Sequence, residues 1–301
     1  MILAIDLGSN AIRFLAIDRR ENALWEAQFV VKTAENLARS GEIGQDALSR
    51  IAAAIAEAKE RFDFNSCHIV AVATEAFRRA KNRRAAIAFL RENCGVNFKI
   101  ISAETEAKLT AAATARSARQ KGLKEPFISL DIGGASSEIV YINGDMFRYI
   151  SLPIGVVTIA ENKFDDLALE RFLNDELEAI KIFRQNISNL PRAQTLIATA
   201  GAPTTLAAVK LGLTRENYDK HIVNKTALSK LDIVQIRKAL MSLEQAELEK
   251  FTGADRGDLV IVGAAALHSF LTALDYERTI VFDEGLREGA AANALQRLAL
   301  A

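Results

Sequence analysis

Two stretches of the chain carry the same pattern of apolar and polar positions. "ILAIDLGSNAIRFLAI" (2–17) and "FISLDIGGASSEIVYI" (127–142) each run apolar, meet an acid, turn through glycine and hydroxyl residues, and resume the apolar run. Each predicts a buried strand, a tight turn and a returning strand. Asp6 matches Asp131 and Gly8 matches Gly133, so one unit occurs at the start and again near the middle. After the second copy, "NGD" (143–145) predicts a hairpin turn into the strand "MFRYISL".

The remaining pattern is that of an α/β protein. Helical periodicity runs over 41–62, 84–93 and 103–120, with strands at 67–77 and 97–102. Further on, helices at about 166–186, 203–211 and 229–249 alternate with strands at 194–199 and 279–282. The segment from Gly122 to Pro126 is the expected junction between a first domain, 1–122, and a second, 123–301. The apolar stretch 259–274 is too short to span a bilayer and holds His268, so it predicts a buried helix.

Composition narrows the function classes. The 301 residues are 50% hydrophobic, enough for large cores. Lys+Arg and Asp+Glu both number 38, so no global charge draws the chain to nucleic acid or membrane, and a polyanion site has to be a local cluster. Cys67 and Cys94 lack metal-ligand spacing and predict reduced thiols. The N-terminal apolar run is interrupted by Asp6 and lacks a basic flank, unlike a signal peptide, so a cytoplasmic setting is expected.

Glycine after a strand lets backbone N–H groups approach an anion closely. Ser136 and Ser137 can donate to phosphate oxygens, whereas Asp131 and Glu138 make sense beside phosphate if they hold Mg²⁺ or position water. A third segment, "ATAGAPTTLAAV" (198–209), places Gly201, Thr204 and Thr205 where a strand opens into a helix, whose positive end favours an anion.

The ordered set of segments resembles the exopolyphosphatase/guanosine pentaphosphate phosphohydrolase (Ppx/GppA) family, within the actin-like, ribonuclease H-like ATPase (ASKHA) superfamily. "DLGSNAIR" looks like its first phosphate loop, "ATEAFRRAKN" like its ATSALRDAxN-type segment and "ISAETEAKL" like ISGEEEARL. "LDIGGASSEI" is similar to IDIGGGSTEL, "SLPIGVVTI" to SLPLGxVRL and "GAPTTLAA" to GGTATTLAA. "ADRGDLVIVGAAAL" and "DEGLREGA" resemble the two closing segments. The likeness covers nearly the whole chain.

The resemblance implies two ribonuclease H-like domains facing across a cleft, with the helix at about 285–301 crossing back onto the first. It implies a hydrolase that removes terminal phosphate from inorganic polyphosphate, guanosine pentaphosphate, or both, with guanosine tetraphosphate as a related ligand and a homodimer as a family-level expectation. Glu106, the acid directly before Ala107, matches the residue that activates water. Asp6, Asp131 and Glu138 match acids expected to hold Mg²⁺. Ser9, Asn10, Gly133, Gly134, Ser136, Ser137, Gly201 and Thr204 are expected to bind phosphate, and Arg78 to contact it directly. Arg256 and Arg287 match family positions whose roles are open between phosphate binding and structure.

"RRAKNRR" (78–84) puts five cations in seven positions, suited to guiding a polyanion. No His-Asp pair occurs, which sets aside an HD phosphohydrolase site. Three positions depart from the family pattern: Ala103 for a glycine, Thr105 for an acid and Ala135 for a glycine, the last tolerable only with a negative φ. These departures keep open a regulator that binds guanosine tetraphosphate or polyphosphate without turnover. A small-molecule kinase of the same superfamily is a further alternative, though none of the kinase acceptor-site patterns is present.

Overall fold

The structure, a computed structural model, describes residues 1–162 and 166–300. The chain forms two compact units, one of Met1–Ala113 with Leu286–Ala301 and the other of Thr114–Gly285. The division falls inside the helix Ala103–Gln120, not at the glycine and proline of 122–126.

In the first unit, strands β1 (Ile2–Leu7), β2 (Ala11–Ile17), β3 (Ala23–Val30), β4 (His68–Ala73) and β5 (Phe98–Ile100) form one sheet in the order β3-β2-β1-β4-β5. The first three strands are antiparallel neighbours, and β4 and β5 run parallel to β1. Every residue of β1 is buried, which requires both faces of the central strand to be covered and explains the apolar run Ile2–Ile5 before Asp6. On one face Ile2, Ala4, Leu15 and Ile17 pack against Ala290, Ala291 and Ala294 of the C-terminal helix Leu286–Leu300. Elsewhere in the unit Phe14 meets Trp25, Phe29 and Phe64, and Trp25 stacks on Phe62 at 5.0 Å.

The second unit repeats the topology. Strands β6 (Phe127–Ile132), β7 (Ser137–Asn143), β8 (Met146–Leu152), β9 (Thr195–Thr199), β10 (Thr226–Ser229) and β11 (Arg278–Val281) lie in the order β10-β11-β9-β6-β7-β8. Again three antiparallel strands lead, and two strands, β9 and β11, run parallel to the first; β10 is an added edge. Both units therefore have the ribonuclease H-like arrangement. The turn between β7 and β8 is the two-residue Gly144–Asp145 loop with Gly144 at φ 58°, the left-handed conformation that glycine adopts without strain.

Among the described residues one helix, Gly257–Leu274, is long and apolar enough to cross a bilayer, and half of it is buried in this unit. A Cβ on its Gly263 would sit 2.4 Å from Ala202 Cβ and 3.1 Å from Val156 Cγ1, so it is a core helix bearing on two site loops. Two long helical patterns are broken. The 166–186 pattern is two helices, Asp166–Glu176 and Glu178–Asn186, and the 229–249 pattern becomes Lys230–Met241 and Gln245–Thr252.

Candidate active site

The two hairpin turns have the same internal bond. Gly8 N–H donates to the Ala11 carbonyl at 3.0 Å, and Gly133 N–H donates to the Ser136 carbonyl at 2.9 Å. A Cβ on Gly133 would fall 2.8 Å from that carbonyl oxygen, which is why the second turn needs glycine. Ala135 is not among the residues with positive φ, so the methyl group there is accommodated.

The hairpins differ where charge is concerned. Asp6 lies directly opposite Arg13 in the β1–β2 register, with Arg13 Nη1 3.6 Å from its carboxylate. Asp131, at the same place in the second copy, lies opposite Glu138. Directly opposed residues share a face of the sheet, and like charges so placed repel. Burial raises the Asp6 pKa above the ordinary aspartate value, partly offset by Arg13 and Arg287 and reinforced by Glu288. Arg287 is itself held by Glu26 and Glu288, each at 2.7 Å. Glu138 is 2% exposed and accepts a bond from Ser151 Oγ at 2.8 Å.

Glu106 stands in the first turn of the helix Ala103–Gln120. Its carboxylate receives Arg78 Nη1 at 2.6 Å. The Arg78 guanidinium also meets Glu75 at 2.8 and 2.9 Å and the Ile101 carbonyl at 3.0 Å. Both members of the Arg78–Glu106 pair are largely buried, with 17% and 13% of the side chains exposed. Burial works against the arginine charge, and the Glu106 and Glu75 carboxylates more than offset it, so its pKa lies above the ordinary value. The sequence casts Arg78 as a direct phosphate contact; here its Nε and Nη1 bond Glu75, Glu106 and the Ile101 carbonyl, while the buried Nη2 makes no hydrogen bond.

Thr105 has an evident local role. Ser102 Oγ and Thr105 Oγ1 lie 3.0 Å apart, and Thr105 N–H donates to Ser102 Oγ at 3.2 Å, capping the helix that carries Glu106. Farther along the same helix, a Cβ on Gly289 would sit 2.1 Å from the Leu109 carbonyl oxygen. The C-terminal helix thus crosses backbone against backbone one turn beyond Glu106.

Several hydroxyls are engaged within the fold. Ser137 Oγ, fully buried, donates to the Ile154 carbonyl at 2.6 Å. Thr204 Oγ1 donates to the Ala200 carbonyl at 2.9 Å and Thr205 Oγ1 to the Gly201 carbonyl at 2.7 Å. In this structure these protons serve the turns, those of Ser137 and Thr204, both expected to bind phosphate, among them. Ser136 and Ser9 are buried in their turns; the Ser9 carbonyl accepts from Ala34 N–H at 2.8 Å, and the Asn10 carbonyl accepts from Val31 and Lys32, each at 2.9 Å.

Two site features escape a purely local reading. A Cβ on Gly155 would lie 2.3 Å from Gly134 and Ala135 backbone atoms, while Val156 and Val157 N–H groups bond the Gly133 and Gly134 carbonyls at 3.0 and 2.7 Å. Gly155 therefore lets the following segment clasp the 133–135 turn; its place in "SLPIGVVTI" is the signal for it. Likewise a Cβ on Gly201 would sit 2.8 Å from Arg256 Nη2, so Arg256 is at the start of the helix Gly201–Lys210. The positive end of that helix and a guanidinium are thus brought together at one place.

Among the described residues no group of three or more His, Cys, Asp or Glu side chains could hold a metal ion unaided. Mg²⁺ keeps several waters and takes only one or two carboxylates beside substrate phosphates, so the opposed Asp131 and Glu138 fit such an ion.

Comparison with known proteins places this geometry in context. The model of the Ppx/GppA phosphatase family matches residues 17–298. Exopolyphosphatase 1 of Mycobacterium tuberculosis (strain ATCC 25618 / H37Rv) is 24% identical over 297 residues, covering 95% of this chain and 85% of its own. The guanosine-5'-triphosphate,3'-diphosphate pyrophosphatase of Pseudoalteromonas translucida is 27% identical over 304 residues, 98% of this chain and 59% of its own. A solved exopolyphosphatase from Cytophaga hutchinsonii ATCC 33406 has the same fold, with a TM-score of 0.82, 21% identity and 98% of each chain covered.

Proposed function

Because the chain belongs to the Ppx/GppA phosphatase family, we propose that it is a hydrolase removing the terminal phosphate of a linear phosphoanhydride, inorganic polyphosphate or guanosine pentaphosphate. The single observation that carries the reading is the Arg78–Glu106 pair at 2.6 Å, which fixes a carboxylate in a helix's first turn at the family's water-activating position. Glu106 takes a proton from water as the water oxygen attacks the terminal phosphorus. The bond from that phosphorus to the bridging oxygen breaks, and orthophosphate and a chain one phosphate shorter leave.

The other residues supply binding. Gly133 and Gly134 bring backbone close to the anion, and Ser136, Ser9 and Asn10 line the two turns. Gly201 and Arg256 offer a helix start and a guanidinium to a phosphate group. Asp131 and Glu138 would hold Mg²⁺, which when bound neutralises phosphate charge. Asp6 faces Arg13 whereas Asp131 faces a second acid, so the metal role is assigned to the second hairpin.

The test is orthophosphate release from purified protein, with polyphosphate and guanosine pentaphosphate at matched concentration, with and without Mg²⁺. Glu106→Gln is expected to keep substrate binding and cut turnover ~10²–10⁴-fold, the span of general acid–base help. Tight binding with no release at any Mg²⁺ concentration would make the protein a regulator, and full activity in Glu106→Gln would remove Glu106 from its role.

A further inference from the structure

The segment 78–84 holds more charge than the site chemistry uses. Of its five cations Arg78 alone, among the described residues, meets a carboxylate. Arg79, Lys81, Arg83 and Arg84 are exposed, and so is Arg39, two residues before Gly41. Gly41 and Lys81 are adjacent: Lys81 N–H donates to the Gly41 carbonyl at 2.9 Å, and a Cβ on Gly41 would sit 3.1 Å from Lys81 Cε. Arg83 Nη1 donates to the Arg78 carbonyl at 2.9 Å, which ties this surface directly to the residue that orients Glu106.

The placement is also unfavourable for stability. Arg83 and Arg84 open the helix Arg83–Cys94, whose first turn contains no acid. Cations there oppose the helix dipole. Asn82, at the N-cap position, does not cap the helix: its side-chain amide instead bonds Ile43 N–H at 3.0 Å and the Ile43 carbonyl at 2.9 Å. Four exposed cations that meet no acid among the described residues, two of them at the wrong end of a helix, suit an extended polyanion. The segment 78–84 lacks aromatic residues, and Phe77 before it is fully buried. The stacking platform that single-stranded nucleic acid uses is therefore missing, whereas a chain of bare phosphates requires none.

We propose that Arg79, Lys81 and Arg84, with Arg39, are a docking surface for the remote part of a long polyphosphate chain whose end phosphate is the one removed. The inference rests on the hydrolase reading above and names the longer polymer as the substrate this surface favours. Arg79→Ala/Lys81→Ala/Arg84→Ala, which leaves Arg83 and its bond to Arg78 in place, is compared with the unaltered chain on tripolyphosphate and on long polyphosphate. KM for the long polymer is expected to rise about tenfold at low salt, with its salt slope reduced by about 2, as loss of three cation–phosphate contacts predicts. KM for tripolyphosphate and kcat for both substrates stay unchanged. An equal loss on both lengths, or none on the long one, overturns the proposal.

Equilibrium binding of long polyphosphate without Mg²⁺ separates this inference from the hydrolase reading. Should the unaltered chain release no phosphate, the hydrolase reading fails, and the difference in binding between the two proteins still decides the docking surface. Arg84→Glu is expected to weaken that binding while raising Tm, because it places an acid in the helix's first turn. A raised Tm with unchanged binding overturns the proposal, as does single-stranded RNA bound as tightly as polyphosphate and lost equally in the triple variant.

Discussion

Ala200 links β9 to the helix Gly201–Lys210 at φ 77° and ψ −176°. That region is open to glycine and costs other residues ~1–3 kcal/mol. The fold holds the residue there: the Ala200 carbonyl accepts both Thr204 N–H at 3.2 Å and Thr204 Oγ1 at 2.9 Å, and the helix begins with the next residue. Ala200→Gly should relieve the strain. Against this, glycine gives the unfolded chain extra freedom, a loss of ~0.4–1 kcal/mol. The net expectation is a gain of ~0.5–2 kcal/mol, or a rise in Tm of about 2–6 °C for a unit of this size. Urea unfolding followed by circular dichroism should move its midpoint upward with an unchanged m-value. A looser turn should also raise KM for a phosphate substrate, since the N–H groups at the helix start are less well preorganised. A Tm that stays level or falls would mean that the backbone at 200 is not strained, and the reasoning would fail.

Three other perturbations follow from the same contacts. Gly155→Ala should force apart the 133–135 and 155–157 segments, since Gly134 and Ala135 backbone atoms lie 2.3 Å from the new methyl position, and lower stability by ~2–3 kcal/mol together with most of the activity; near-native melting and turnover would refute the clasp. Gly289→Ala meets the Leu109 carbonyl oxygen at 2.1 Å, so it should shift the helix bearing Glu106 and lower kcat more than it changes KM, measured by steady-state phosphate release. Asp232 is pulled down to about 2 by Lys210 and the Ser229 cap, so its contribution is complete above the ordinary aspartate value of 3.8 and is lost as pH falls towards 2. Asp232→Asn should therefore be less stable by ~1 kcal/mol at neutral pH, after allowance for solvent screening, and the difference should close between about pH 4 and pH 2 in thermal melts.

The duplicated hairpins were legible because a strand buried on both faces is mostly apolar, and a turn closing tightly on its own carbonyl, as at Gly133, favours glycine. Both constraints are local and leave a mark in sequence. Strand β3 left less of one, since its first two residues are exposed and the rest only half-buried, so no clean alternation marks it. The helix breaks at Leu177 and at 242–244 occur without glycine or proline, so only packing at a distance decides them. In the site, the residue types were readable and their partners were not. Nothing local in the sequence announces the Ile154 and Ala200 carbonyls that accept from Ser137 and Thr204. Arg78 was legible as a cation of the site, but its ion pairs with Glu75 and Glu106 were not.

The comparison of the two hairpins carries the reading furthest. Asp6 and Asp131 are equivalent in sequence and in register, yet one faces Arg13 and the other Glu138. The first pair is neutral within the protein. The second holds two formal negative charges on adjacent strands, with Glu138 almost fully buried. Opposed carboxylates of this kind are destabilising unless a cation or a proton joins them. The duplication therefore kept the acid at the end of the first strand and changed the residue that faces it. In the hydrolase reading proposed above, a divalent ion that arrives with phosphate would sit beside both carboxylates, and it would make the second turn the place where substrate charge and protein charge are neutralised together.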